Sequence, residues 1–152
     1  MHKVIPEGYH TLNATLIVDG AQEVIDFLKK TFDAKERFVM PGEPGKIGHA
    51  ELEIGDSVLM ISDASEKYPA APCRIYSYVA DVDATYKRAL AAGGKSLEEP
   101  TNQFWGDRHG AVADSKGNHW GIATRVEDLS PEEIGKRAEV FMKQFAGSSA
   151  GN

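Results

Sequence analysis

Apolar and polar residues alternate over 46–62 (KIGHAELEIGDSVLMIS), where Ala50, Leu52 and Ile54 are interleaved with His49, Glu51 and Glu53 and Gly55-Asp56 separates two such runs. This is the period of a sheet with one apolar face, folded back as a β-hairpin. Residues 103–124 (QFWGDRHGAVADSKGNHWGIAT) repeat the plan around Asp114-Ser115-Lys116-Gly117-Asn118. Ahead of each hairpin the period changes. Ala21, Val24, Ile25, Leu28 and Phe32 recur at helical spacing, with Asp19 placed to help cap the start. Val82, Tyr86, Ala89 and Leu90 do the same within 81–92, and Gly93-Gly94 supplies the left-handed stop that helix ends favour. Strands are predicted over 11–18, 35–40 and 74–79, while 95–100 reads as a strand start or a loop.

The order is therefore βαβββ, linker, βαβββ, in one register. Val18 and Val79 both end the first strand of their half, 61 residues apart. The same offset takes Gly20 to Asp81, Ile25 to Tyr86, Asp56 to Gly117 and Ile61 to Ile122. The expected organisation is one α+β domain over 1–129, with unit one at 9–62, a proline-containing linker at 63–72 and unit two at 73–126. A C-terminal helix follows at 130–146. Its start, Ser130-Pro131-Glu132-Glu133, is a capping box with an acidic first turn, and Ile134, Ala138, Phe141 and Phe145 form a stripe that predicts docking by one face. Residues 147–152 are expected to be a disordered tail.

The 152 residues suffice for one domain with its own core. A formal net charge of −6 without a Lys/Arg cluster argues against a nucleic-acid partner. The one cysteine, Cys73, excludes an intrachain disulfide framework, suits a reducing compartment, and reads as an inert, half-buried thiol. The start, MHKVIPEGYHTLN, lacks the apolar run of a secretion signal, and no stretch is apolar enough to span a membrane, so a cytoplasmic protein with no membrane partner is expected. Gly-rich phosphate loops, nucleophile elbows and CxxC pairs are absent from the sequence.

The tandem βαβββ plan, the text GHAELEIGDSVLMISD and above all FWGDRHGAVADSKGNHWGIATRVEDLSPEE resemble the vicinal oxygen chelate superfamily, which comprises glyoxalases, bleomycin-resistance proteins and extradiol dioxygenases. Within it the chain looks most like the glyoxalase-like branch associated with phosphonate operons. The resemblance covers about residues 10–130. It implies tandem modules forming a curved, cup-shaped mixed sheet with helices on the convex side, a ligand site inside, and a homodimer.

Enzymes of that superfamily hold a divalent metal at up to four positions, which the resemblance places here on Asn13, Met60, Arg74 and Gly121. A Lewis-acid metal needs lone pairs from His, Glu or a similar donor. Arg has none to give, Gly has no side chain and Met is soft; only Asn13 offers an oxygen. No cofactor is therefore expected at these positions. His49 and Glu51 lie two apart on one strand and share a face, as does His119 with Gly121, so a displaced divalent-metal site or an acid/base pair drawn from His49, Glu51 and His119 is the catalytic alternative.

Parity with the four positions turns Asn13, Thr15, Val58, Met60, Ser62, Arg74, Tyr76, Tyr78 and His119 inward, the composition of a small-molecule pocket. Arg74 reads equally as an anion contact or an internal ion pair. Trp105 offers a stacking surface, and Asp107-Arg108 a pair that fixes the loop before the hairpin. The favoured expectation is a metal-independent small-molecule binder, with Asn13, Met60, Arg74, Tyr76, Tyr78, Trp105 and Arg108 as ligand contacts. A metal-dependent lyase, isomerase or dioxygenase-type enzyme and a drug-sequestering dimer of the bleomycin-resistance kind are the alternatives.

Overall fold

The computed structural model describes residues 2–149. The first unit comprises β1 (Ala14–Val18), α1 (Ala21–Phe32), β2 (Lys35–Pro41), β3 (Ile47–Ile54) and β4 (Ser57–Asp63). The second repeats it as β5 (Arg74–Tyr78), α2 (Val82–Ala91), β6 (Lys95–Asn102), β7 (Asp107–Ala113) and β8 (His119–Arg125). The 95–100 segment is thus a strand. The mixed sheet is divided into two four-stranded sheets, in the orders β1-β4-β3-β2 and β5-β8-β7-β6, with the first strand of each unit parallel to the last.

Alternation places Leu16, Leu52, Leu59 and Ile61 of one sheet and Val112, Trp120 and Ile122 of the other on the helix-bearing faces, where all are buried. They join Val24, Ile25 and Leu28 of α1 and Val82 and Ala89 of α2 in a single core. Phe27 and Phe32 both pack on Trp120, at ring-centroid distances of 6.5 and 5.7 Å, so helix α1 of the first unit is buried against the second. This shared core joins the two units.

The register refines the repeat. Ile61 pairs with Ala50 and Ile122 with Gly110, so the last strands are 61 apart and the third strands only 60. The second hairpin loop carries the extra residue. Its Asp114 accepts hydrogen bonds from the backbone N–H groups of Lys116 and Asn118, from Asn118 Nδ2 and from the Trp120 indole. The first hairpin turns on Gly55, whose φ of +58° favours glycine.

Three local expectations change. Strand β1 begins at Ala14 rather than at residue 11, because Asn13 closes a turn on His10 through two hydrogen bonds, of 2.9 and 2.6 Å. Helix α1 is capped by Asp63, not Asp19: Asp63 Oδ1 accepts from the N–H groups of Gly20 and Ala21 while its Oδ2 accepts from that of Ile47. The capping box forms at Ser130 and Glu133, but helix α3 (Pro131–Ser149) runs past residue 146. Its stripe is only lightly docked. Ile134 and Ala138 are half-buried, Phe141 meets Phe104 at 5.2 Å, and Phe145 is 67% exposed. The final residues of the expected tail, 150–152, lie outside the described residues.

Candidate functional site

The two helix-free faces differ in cover. Over the first sheet lies the chain's own N-terminal segment: Arg37 Nη2 donates to Glu7 O at 3.1 Å and its guanidinium sits 5.7 Å from the centre of the Tyr9 ring. Burial and a hydrogen bond to Glu51 raise the Tyr9 pKa. His49 and Glu51 are on this face, 3.5 Å apart, with Phe38 6.4 Å from the His49 ring. Met60 pairs in register with Glu51.

The helix-free face of the second sheet carries Arg74, Tyr76 and Tyr78 from β5, His119 and Gly121 from β8, and Asp107 and His109 from β7. Asp107 is its organising group. The Tyr76 and Tyr78 hydroxyls and the Trp105 indole N–H all donate to Asp107 Oδ2, at 2.7, 2.9 and 3.1 Å. Asp107 is 1% exposed, and its other oxygen has no hydrogen-bond partner among the described residues. Burial, then the bond to Asp107, pushes the Tyr76 pKa up to about 12. The Asp107 bond raises that of Tyr78 as well. Both rings remain open on one side, at 46% and 62% exposure.

His109 stacks on Tyr76, with centroids 5.0 Å apart and planes within 5°. The pair fills the space above Gly121, where an added Cβ would lie 3.1 Å from His109 Nε2 and 3.2 Å from Tyr76 Cδ2. His109 Nδ1 is buried without a hydrogen bond among the described residues, with Glu98 Oε2 3.5 Å away. A depression of about 440 Å³ beside this stack is bounded by Arg74, Leu97, Glu98, Ala111 and His119.

The residues singled out from sequence therefore separate. Tyr76, Tyr78 and Trp105 come together on Asp107. Arg74 stands exposed at the edge of the same face, with no ion pair among the described residues, and His119 is its partner in the β5–β8 register. His49 and Glu51 belong to the other sheet, and among the described residues no three His, Cys, Asp or Glu side chains gather as a metal-holding group. Arg108 points to the opposite face, where it makes a two-pronged pair with Asp83 of α2 at 2.8 Å on each prong. The expected Asp107-Arg108 pair does not form, because neighbours on a strand face opposite ways. Asn13 spends its carbonyl on the His10 N–H. Cys73 is half-buried, and desolvation raises its pKa.

His109 and Asp107 as the anchor of the tyrosines were missed from sequence. The 60-residue offset of the third strands makes His109 the counterpart of His49, a signal hidden by applying 61 throughout.

A larger cavity, about 790 Å³, opens where the edges of β1 and β5 face each other. It shares Tyr76 and Tyr78 with the Asp107 face and is lined on its far side by Asp81, Thr85 and Arg88.

The model of the glyoxalase/bleomycin resistance protein/dioxygenase superfamily matches residues 10–122, and the chain belongs to that superfamily. It is 37% identical over 134 residues to the uncharacterized protein Mb0911c of Mycobacterium bovis, covering 81% of this chain and 88% of that one. Among solved structures it is similar to TioX from Micromonospora sp. ML1, with a TM-score of 0.63 and 23% identity over 76% of this chain and 99% of that one. TnmS3, an antibiotic binding protein from Streptomyces sp. CB03234, gives 0.62 and 24% over 82% and 99%. The fosfomycin resistance protein FosX from Mesorhizobium loti gives 0.56 and 17% over 79% and 93%. At these identities the structural likenesses establish the fold.

Proposed function

We propose that this protein, a member of the phosphonate-operon-associated glyoxalase-like branch acting as a homodimer, binds a planar aromatic small molecule on the helix-free face of its second sheet. The observation that carries this reading is the convergence of Tyr76, Tyr78 and Trp105 on buried Asp107. A ligand that stacks on free aromatic side chains must first immobilise them, at an entropic cost. Here one carboxylate has already fixed three rings, so less is lost on binding. Rigid amphipathic rings with an open face are effective contact surfaces. The exposed Arg74 at the edge suits an acidic substituent on the ligand.

The four positions to which the resemblance assigns the superfamily's metal ligands are ill suited to hold a metal. Gly121 offers no donor and its space is taken by the His109–Tyr76 stack, the Asn13 oxygen is engaged in a turn, Arg74 has no lone pair, and Met60 brings only a soft thioether. The binding use of the fold is also that of TnmS3, described as an antibiotic binding protein.

The test is quenching of tryptophan fluorescence by a panel of planar polycyclic antibiotics and simple polycyclic phenols, on untagged protein whose metal content is measured in parallel. Saturable quenching that weakens at least about tenfold in Tyr76→Ala supports the reading. Stoichiometric zinc, nickel, manganese or iron surviving dialysis overturns it, as does the absence of saturable quenching across the panel.

A further inference from the structure

The internal repeat gives the seam between the two sheets two equivalent ends, and the protein treats them differently. At one end Ala71, in the linker, forms an antiparallel bridge to Ile17 on the free edge of β1, donating its N–H to Ile17 O at 3.2 Å. The pocket left there, bounded by Ile17, Val18, Ala71 and Lys116, is about 220 Å³. By the 61-residue offset the counterparts of Ala71 and Ile17 are His10 and Tyr78. That bridge does not form. The His10 backbone is committed at both groups to the Asn13 side chain, and its ring meets Asp56 O at 3.3 Å. The equivalent pocket, bounded by His10, Asp56, Tyr78 and Val79, opens to about 790 Å³.

Two kinds of polar group line the opening. The hydrogen bonds from His119 N–H to Cys73 O and from Val79 N–H to Ala123 O show that odd-numbered residues of this strand bond to β8. The N–H and C=O of Tyr78 are therefore directed at the seam, and no hydrogen bond engages them among the described residues. The second group is Arg88. Together with Thr85 on α2 and the N-cap Asp81 it forms the polar wall of the cavity. Its Nε donates to Thr31 O at 3.1 Å and its Nη2 to Thr85 Oγ1 at 3.0 Å, which fixes the guanidinium; no carboxylate pairs with it among the described residues. Phe32, Ile75 and Trp120 make the apolar floor.

We propose that this open seam is a second binding site, for a small amphiphilic carboxylic acid: apolar body on Phe32 and Ile75, an amide-like group on the Tyr78 edge, carboxylate on Arg88. A guanidinium already oriented by two bonds presents its remaining N–H groups to a carboxylate with little further ordering. Asp81, the N-cap of α2, is engaged by the Ala84 N–H and makes no ion pair with Arg88 among the described residues. The site borders the Asp107 face through Tyr76 and Tyr78 but draws its polar contacts from Arg88 and the Tyr78 backbone, so it does not rest on the reading of that face.

Dansyl-phenylalanine, which combines an aromatic body, a sulfonamide and a carboxylate, is the probe; binding is read by energy transfer from tryptophan to dansyl. Saturable binding is expected, about tenfold weaker for the carboxamide of the same compound and for Arg88→Met, and retained in Arg88→Lys. Ala80→Trp, at the exposed rim, fills the mouth without touching the core and abolishes binding. No saturable binding, binding indifferent to Ala80→Trp, or binding unchanged in Arg88→Met would each overturn the proposal.

Discussion

His109 lies flat against Tyr76, planes within 5°, in the space that a side chain at Gly121 would occupy. The stack and the glycine are one device. At 3.1 and 3.2 Å from the rings, a methyl group on residue 121 is tighter than ordinary van der Waals contact, so Gly121→Ala must displace one ring. Overpacking of this kind costs about 1–3 kcal/mol, and one ring face is open, so the lower end is expected. Urea unfolding measures the cost and near-ultraviolet circular dichroism the movement of Tyr76. An unchanged midpoint with an unchanged tyrosine band would mean that the rings do not occupy this space.

Asp107 accepts three hydrogen bonds on one oxygen, and its removal strands three donors. Asp107→Ala is expected to destabilise by about 2 kcal/mol, the Tyr78 hydroxyl being exposed enough to turn to water while the Trp105 and Tyr76 donors are less so. The same substitution frees the rings, so aromatic ligands should bind more weakly even where the fold survives. A loss below about 0.5 kcal/mol by urea titration would show that Asp107 does not organise this face.

Alkaline titration reads the same node from the tyrosine side. The Tyr76 pKa is raised to about 12, chiefly by burial and then by Asp107. A raised folded-state pKa contributes stability that is full below the unfolded value near 10 and is lost as pH rises toward the folded one. Stability should therefore fall between about pH 10 and 12. Absorbance at about 295 nm should reveal a late-ionising fraction that shrinks in Tyr76→Phe and shifts to lower pH in Asp107→Asn. Tyrosines that all ionise together near pH 10 would contradict the Asp107 contact.

The α+β class, both helices, both hairpins and the tandem order were legible because each rests on local periodicity. The capping box at Ser130 was legible for the same reason, its partners being three residues apart. Parity correctly turned Tyr76 and Tyr78 to the helix-free face. What brings them to Asp107, about thirty residues on, is strand order, and no spacing in the chain encodes that. The extra residue in the second hairpin loop hid the equivalence of His49 and His109, since a uniform offset of 61 maps His49 onto Gly110 instead. Asp19 was the nearer acid to the start of α1, and tertiary structure chose the farther one.

That choice is itself testable. Asp63 receives the N–H groups of Gly20, Ala21 and Ile47, tying the start of α1 to β3 as well as capping it. Burial acts to raise its pKa, but the three backbone donors together outweigh it and hold the carboxyl below the usual carboxylate range. Asp63→Ala should cost about 2–3 kcal/mol near neutral pH, more than a cap alone, because a second element loses its tie. Asp63→Asn keeps one acceptor oxygen and should fall between. A depressed folded-state pKa contributes stability present above the unfolded value and lost as pH falls through the folded one, so the gap between wild type and Asp63→Ala should narrow below about pH 4. Asp19→Ala should change stability by less than about 0.5 kcal/mol. Urea titrations of the three variants at pH 7 and 3.5 decide the matter: if Asp19→Ala is the costlier substitution, or the Asp63 gap is independent of pH, helix α1 is held by something other than the Asp63 carboxylate.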